Sequence, residues 1–487
     1  MYGEIEVNDY HLLKYSLLYD FYCCFSSLEI FDLPLVQCLG GQFLSHIQQF
    51  VDQNRLNPKL ISKLRKEKKF VSMGEINKKL LTFDNISTKE LNINKNSILL
   101  ADDYYNFAAD QLREYEVTIY GTIQKEFHAD LPKHIKSYLF KDEIRNMDRQ
   151  VINQQKKILK TRVEYALKNA PKHYYFSKKS FKQWFPRACM SIIGWVYVLD
   201  QLILKTAPAV IIDPVEASIF GTILGLLSKK YRIPYVNMPI VLIGDRSMIP
   251  SRADYYFVWG KNQKNWLIKR NIKPDKIIET GNLKFFYEMK SHSSSKESFN
   301  ENLNIPANHL ILGFTSQPFL YTNDQIEEWI RAIPTNYPIT ILLKKHRTDQ
   351  YEYPLLVKKA NVKILPLDYP LYDFLAQIDC LMTISSNTGI EAALFNKPLL
   401  ILQPNIPYHY SLSHNQINAH LAKAQAGEVI NNERDFIQIV RKLLTQKNYI
   451  NQLIKQGNIF LSETISTVDQ SPVLVKNQIK KIILKGL

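Results

Sequence analysis

Between residues 310 and 402 the chain repeats one unit, a short apolar run rich in Ile, Leu and Val followed by a segment of helix length. One run precedes Thr315-Ser316-Gln317-Pro318, and a second precedes Lys344-Lys345-His346-Arg347. A third, at 361–366, leads into the helix-like stretch 369–378. Two more, at 380–384 and 399–402, flank the helix-compatible 390–395. Apolar runs this short and continuous, separated by helices, are the pattern of βα units in a parallel sheet covered on both faces. Few other arrangements can bury such runs completely, so an α/β fold is expected here.

In a parallel sheet, ligands bind beyond the carboxyl ends of the strands. Three polar clusters fall at that edge: Thr315-Ser316-Gln317, His346-Arg347 and Ser385-Ser386-Asn387-Thr388. The third opens a helix, where unpaired backbone N–H groups, the helix dipole and Ser and Thr hydroxyls all suit a phosphate. Glu391 in the first turn can accept from sugar hydroxyls of the same ligand. By itself this motif also describes an ordinary capped helix. Three such clusters at one edge favour a site.

The stretch 311–403 resembles the nucleotide-binding half of GT-B-fold transferases, within the group of bacterial capsule-synthesis transferases, CDP-glycerol glycerophosphotransferases and bacterial polysialyltransferases. The group's S/T-Q-P turn is matched by Ser316-Gln317-Pro318 and its K-x-H-P motif by Lys344-Lys345-His346-Arg347. Its S-S/T-x-x-G-x-E-A helix with trailing K-P is matched by 385–392 and Lys397-Pro398. Upstream, Ala253-Asp254 leading to Val258-Trp259-Gly260, and Thr280-Gly281-Asn282, resemble the end of the family's first domain. Two departures stand out. Arg347 occupies the place of the usual Pro, and Asn237-Met238-Pro239 the place of a His-Gly pair.

The resemblance implies two Rossmann-like domains facing a cleft, with the C-terminal helices crossing back to the first domain. It also implies a donor-nucleotide site built from Ser316, Gln317, His346, Arg347, Pro366, Ser385, Ser386, Thr388, Gly389 and Glu391, with phosphate on His346 and the serines and ribose on Glu391. The organisation expected is an acceptor-side domain over 1–290, with a helical basic insertion near 133–185, and a nucleotide-sugar domain over 300–460. A last helix over 461–487 packs on the first domain. The polar run 291–299 reads as the linker, and 141–168 as one long helix. In the first domain, 35–39, 69–72, 97–101 and 117–120 read as strands, and Gly40-Gly41 as a strand-to-helix turn.

At 487 residues the chain exceeds what one core supports, and 46% hydrophobic residues exclude disorder. Five cysteines without ligand spacing fit a reducing compartment. The acidic start gives no secretory leader, and the apolar stretches 189–204 and 207–227 are broken by Asp200, Asp213, Pro214 and Glu216, so no membrane span is expected. The net charge of +16 calls for an anionic partner. No nucleic-acid signature is present. The lysines of 133–182, interleaved with Tyr174, Tyr175, Phe176, Trp184 and Phe185, suit either an anionic membrane surface or a solvated helix over core aromatics.

Sugar transfer from a nucleotide needs a stabilised leaving phosphate, a base for the acceptor hydroxyl and exclusion of water. His346, Arg347, Ser385, Ser386 and Thr388 supply the first without a metal, and no Asp-x-Asp motif or cofactor signature is seen. His346 is also a catalytic candidate. The base candidates are Asp213 and Glu216, which follow the apolar run 209–212, then Asp102-Asp103 and His128. The reading is a metal-independent glycosyltransferase using a nucleotide-activated sugar donor, cytidine favoured, and a glycan or lipid-linked glycan acceptor. It would act in the cytoplasm or at the inner face of the membrane. The rivals are a UDP-sugar 2-epimerase, whose Gly-Thr-Arg-Pro and His-x-Glu-Ala-Gly segments are missing, and a non-catalytic polysaccharide-assembly protein with a degenerate site.

Overall fold

The computed structural model describes residues 7–170, 172–290, 295–406 and 421–485. The acidic start at 1–6 and most of the linker's serine run (291–294) lie outside them. Two compact units are formed. The first takes in residues 7–259, 263–283 and 469–485, and the second residues 260–262 and the described part of 284–468.

In the first unit a two-residue antiparallel pair, β1 (Glu29–Ile30) and β2 (Leu33–Pro34), precedes a seven-stranded sheet. Its strands are β3 (Asn94–Ala101), β4 (Glu116–Gly121), β5 (Ile135–Leu139), β6 (Pro208–Asp213), β7 (Tyr235–Asn237), β8 (Tyr255–Val258) and β9 (Ile277–Glu279). They run β5-β4-β3-β6-β7-β8-β9, every pair parallel. Consecutive side chains on a strand point to opposite faces, yet Ile98, Leu99 and Leu100 are all fully buried. Helices therefore cover both sides.

The second unit repeats the scheme with β10 (Leu310–Thr315), β11 (Ile339–Lys344), β12 (Val362–Ile364), β13 (Cys380–Thr383), β14 (Leu399–Leu402) and β15 (Glu428–Ile430). The order is β12-β11-β10-β13-β14-β15, again wholly parallel, with Phe314 registered against Leu343 and Met382. Both sheets are doubly wound. Strand order reverses between β3 and β6 in one and between β10 and β13 in the other. The last helix, Ser471–Lys485, belongs to the first unit. It buries Val475, Ile479 and Ile482 there, and packs on β6 and the helix Tyr105–Gln111.

The N-terminal region departs most from expectation. Residues 35–38 form a short helix, with Leu35, Val36, Gln37 and Cys38 all buried, and 69–72 is a loop whose Ser72 caps the helix Met73–Leu81. Periodicity cannot separate a short buried strand from a buried helical turn. Gly40-Gly41 starts a helix, Gly40–His46, and Gly40 leaves room for the Tyr22 hydroxyl. The helix expected over 141–168 is two, Phe140–Asn146 and Arg149–Asn169. Asp148 ends the continuity, its carboxylate accepting from the Gln150 and Val151 N–H groups at 2.8 and 3.3 Å.

The stretch 133–185 is not an all-helical insertion, because it contains β5. Four of its clustered aromatics are core, not surface. Tyr175, Phe176, Phe181 and Phe185 are at most 2% exposed and pack with Phe21, Phe25 and Phe43, the Phe21 and Phe43 rings stacking at 4.2 Å. The helix Lys179–Thr206 is long and apolar enough to cross a membrane by length and composition. Its apolar side is nevertheless spent in the first unit, with Ile192, Val196, Leu199 and Leu202 fully buried. Asp200 is paired with Lys230 (3.2 Å) and accepts from the Tyr231 hydroxyl (2.9 Å).

Candidate functional site

In the second sheet, β10 and β13 flank the switch point, so the residues just past their ends surround the crevice where such sheets take ligands. Thr315 joins the two strand ends, its Oγ1 lying 3.2 Å from Thr383 Oγ1 and 2.8 Å from Thr388 Oγ1. Gln317 continues the tie: its Oε1 accepts from the Ser385 N–H (3.1 Å) and hydroxyl (3.2 Å). Gln317 and Ser385 thus hold each other, and both are buried.

Ser316 is occupied as well. Its hydroxyl donates to Asp349 Oδ2 at 2.5 Å, and its oxygen accepts from the His346 N–H at 3.0 Å. Asp349 is the hub of this corner. It also accepts from the Tyr353 hydroxyl (2.9 Å), Asn323 Nδ2 (3.0 Å) and the Tyr351 N–H (3.0 Å). Four donors converging on one buried carboxylate fix the turn after β11, where Arg347 stands in place of the proline of the family it resembles. A lone Asp two residues past a His-Arg pair reads as turn chemistry, so Asp349 carried no signal in the sequence.

The turn presents His346 and Arg347 to solvent. His346 Nδ1 accepts from the Thr348 N–H at 3.2 Å and lies 2.9 Å from Thr348 Oγ1. A backbone N–H can only donate, so the neutral imidazole carries its hydrogen on Nε2, which faces no partner among the described residues. Arg347 forms no ion pair among them. Lys344 turns inward, donating to the carbonyls of Leu367 (2.7 Å) and Pro366 (3.4 Å). Burial, then the Arg347 charge, lowers its pKa. Pro366 is thereby held at the same edge with its ring exposed.

After β13, Ser386 Oγ accepts from the Thr388 N–H at 3.2 Å, opening the helix Thr388–Leu394. Its own O–H meets no acceptor among the described residues. Gly389 is buried where a Cβ would stand 2.8 Å from Leu421 Cδ1, so a larger residue would push the helix start away from the strand. Glu391 is 1% exposed. Its Oε1 accepts from the Tyr372 hydroxyl at 3.0 Å and lies 3.5 Å from Lys284 Nζ. Burial raises its pKa, opposed by Lys284 and the Tyr372 bond. A ribose can reach this carboxylate only by sharing or displacing those partners. Neither Tyr372 nor Lys284 was marked by a motif.

In the first sheet, Asp213 ends β6 beside the switch point but points inward. It is 3% exposed, accepting from Tyr120 OH (2.7 Å), Tyr235 OH (3.3 Å) and the Val215 N–H (2.9 Å), and burial raises its pKa to about 6. Glu216 is fully buried and accepts from the N–H groups of Arg252 and Ala253. Desolvation pushes it to about 8. Both carboxylates brace the β6–β7–β8 end in this conformation. Asp102 pairs with Lys125 (2.7 Å) at the end of β3, next to the more exposed Asp103, and His128 Nδ1 accepts from the Lys125 N–H (2.9 Å).

No protein-family model and no curated protein sequence matches this chain. Solved structures match its fold. UDP-GlcNAc 2-epimerase from Neisseria meningitidis bound to UDP-GlcNAc aligns with a TM-score of 0.51 and 13% identity, over 81% of this chain and 100% of that one. S. aureus MnaA solved with UDP gives 0.52 and 14%, over 80% and 98%. The wall teichoic acid polymerase TagF covers 92% of this chain and 98% of its own, but at a TM-score of 0.47 and 11% identity, too slight a likeness to argue from. At these identities the likeness concerns the fold: this is an α/β protein of GT-B type with two Rossmann-like domains, a fold shared with nucleotide-sugar enzymes.

Proposed function

We propose that the protein is a metal-independent glycosyltransferase. It would move a sugar or sugar acid from a nucleotide-activated donor, cytidine favoured over uridine, to a glycan or lipid-linked glycan acceptor in surface-polysaccharide synthesis. One observation carries the reading. At the switch point of the second sheet the framework residues are mutually satisfied, while His346 Nε2–H, the Ser386 hydroxyl and the Arg347 guanidinium are left to meet an anion. The donor diphosphate or monophosphate sits against these groups, and its departing charge is stabilised by them. Gln317, Ser385, Thr388 and Gly389 shape the floor, Pro366 bounds the base side, and Glu391 takes the ribose hydroxyls.

For the base, Asp213 and Glu216 are the candidates; in this conformation both are buried and hydrogen-bonded, so either takes the acceptor's proton only once those bonds are released. The reaction takes place in the cytoplasm or at the inner face of the membrane.

The test is a thermal-shift panel of CMP, CDP, UMP, UDP and GDP on the full-length protein. A shift with cytidine nucleotides, absent for GDP, supports the reading, and no shift with any of them overturns it. The fold likeness to 2-epimerases keeps one rival in play. Proton exchange at C2 of UDP-GlcNAc, followed by NMR, would decide for it.

A further inference from the structure

The helix Arg149–Asn169 carries six cations and a single carboxylate, Glu164. Its inner face, Ile152, Leu159 and Val163, is buried and packs on the helix Lys179–Thr206. At about 100° per residue, Ile158, Thr161 and Tyr165 line up on the opposite side. Ile158 is 39% exposed and Tyr165 71%. Lys157 and Lys168 lie along one flank of this stripe and Arg162 along the other, all exposed and none in an ion pair among the described residues. A single exposed apolar residue needs no explanation. Two aligned on the outer face of a cationic helix, while the neighbouring aromatics of 175–185 are taken into the core, form a surface with two chemistries.

A soluble polyanion would engage only the cations. An anionic bilayer engages both, since headgroup phosphates meet Lys and Arg while a Tyr ring and an Ile side chain enter the boundary between headgroups and acyl chains. We propose that this face of the helix Arg149–Asn169 docks on an anionic lipid surface, with Ile158 and Tyr165 entering the headgroup layer between the flanking cations. The proposal does not depend on the donor assignment above. It replaces the buried aromatics of 175–185 with Tyr165 as the interfacial ring.

The experiment is co-sedimentation of the full-length protein with vesicles of equal parts phosphatidylglycerol and phosphatidylcholine, against pure phosphatidylcholine, with heparin as the soluble polyanion. Each cation near anionic lipid is worth roughly fivefold in partition, so Lys157→Glu, Arg162→Glu and Lys168→Glu together should lower it by about a hundredfold or more. Ile158→Ser with Tyr165→Ser should lower it by about tenfold while leaving heparin binding unchanged. Binding should fade at salt on the order of 0.5 M, where the Debye length is only a few Å. Melting temperature and nucleotide-induced stabilisation, measured on every variant, separate a lost docking face from a lost fold or a wrong donor assignment. Three outcomes overturn the proposal: no binding to anionic vesicles at low salt, equal binding to neutral ones, or wild-type partition of the Ile158/Tyr165 variant. The last would make the face a polyanion site.

Discussion

At neutral pH Glu216 holds a proton that the unfolded chain releases, because burial lifts its pKa from 4.5 to about 8. Its contribution to stability is therefore complete below about pH 4.5 and is lost as pH rises through about 8. Asp213 acts in the same direction between 3.8 and about 6. Glu216→Gln imitates the protonated form, so its melting temperature should fall less than that of wild type between about pH 5 and pH 8. Parallel pH profiles for the two proteins would show that Glu216 is ionised in the native state. In the second unit, Ser386→Ala and His346→Ala should each weaken nucleotide binding by about 1.5–3 kcal/mol, the worth of a hydrogen bond to a charged phosphate. Native melting with unchanged affinity in both would remove them from the site. Glu391→Gln should likewise weaken binding, and wild type should bind a 2′,3′-dideoxynucleotide poorly. If Glu391 only holds Tyr372 and Lys284, the substitution will cost about 1–3 kcal/mol of stability and leave affinity alone.

The strand–turn–helix elements were legible because each rests on local chemistry: an apolar run, a hydroxyl-rich turn, then a helix former. What linked them was not. Ser316, read as a phosphate ligand, spends its hydroxyl on Asp349, and Gln317 and Ser385 bond to each other. Only the chain path past β11 shows that Asp349 replaces the stiffness a proline would have given. Asp349→Ala would strand several buried donors at about 1–3 kcal/mol each. We expect a marked fall in melting temperature and a loss of nucleotide affinity larger than that of Ser316→Ala, both measurable on the purified variants. Gly313 gives a second element-scale case. A Cβ there would lie 2.6 Å from Phe374 Cζ and 2.7 Å from Ile378 Cδ1, so the glycine lets the helix Leu371–Gln377 press against β10. Gly313→Ala should cost about 1–3 kcal/mol by overpacking, read by denaturant unfolding.

Over the whole molecule, the last helix is the test of how the chain is partitioned. Ile479 is fully buried in the first unit, although β9, the last strand of that sheet, ends at Glu279. Ile479→Ala should cost about 2–5 kcal/mol. In calorimetry the loss should fall on the unfolding of the first unit, leaving the nucleotide-stabilised transition of the second in place. Movement of the second transition alone would refute the assignment. The sequence by itself determined the strands at 310–402 and the edge at which the polar clusters lie, because buried parallel strands and their turns are written in runs of a few residues; the first sheet was expected from the resemblance, and two of the four strands read at its start are not strands. It did not determine which polar side chains at that edge remain available, that Tyr175, Phe176, Phe181 and Phe185 are core, or that residues 35–38 coil into a helix. Those outcomes depend on which distant groups compete for each hydrogen bond and each buried face, and only the folded arrangement brings the competitors together.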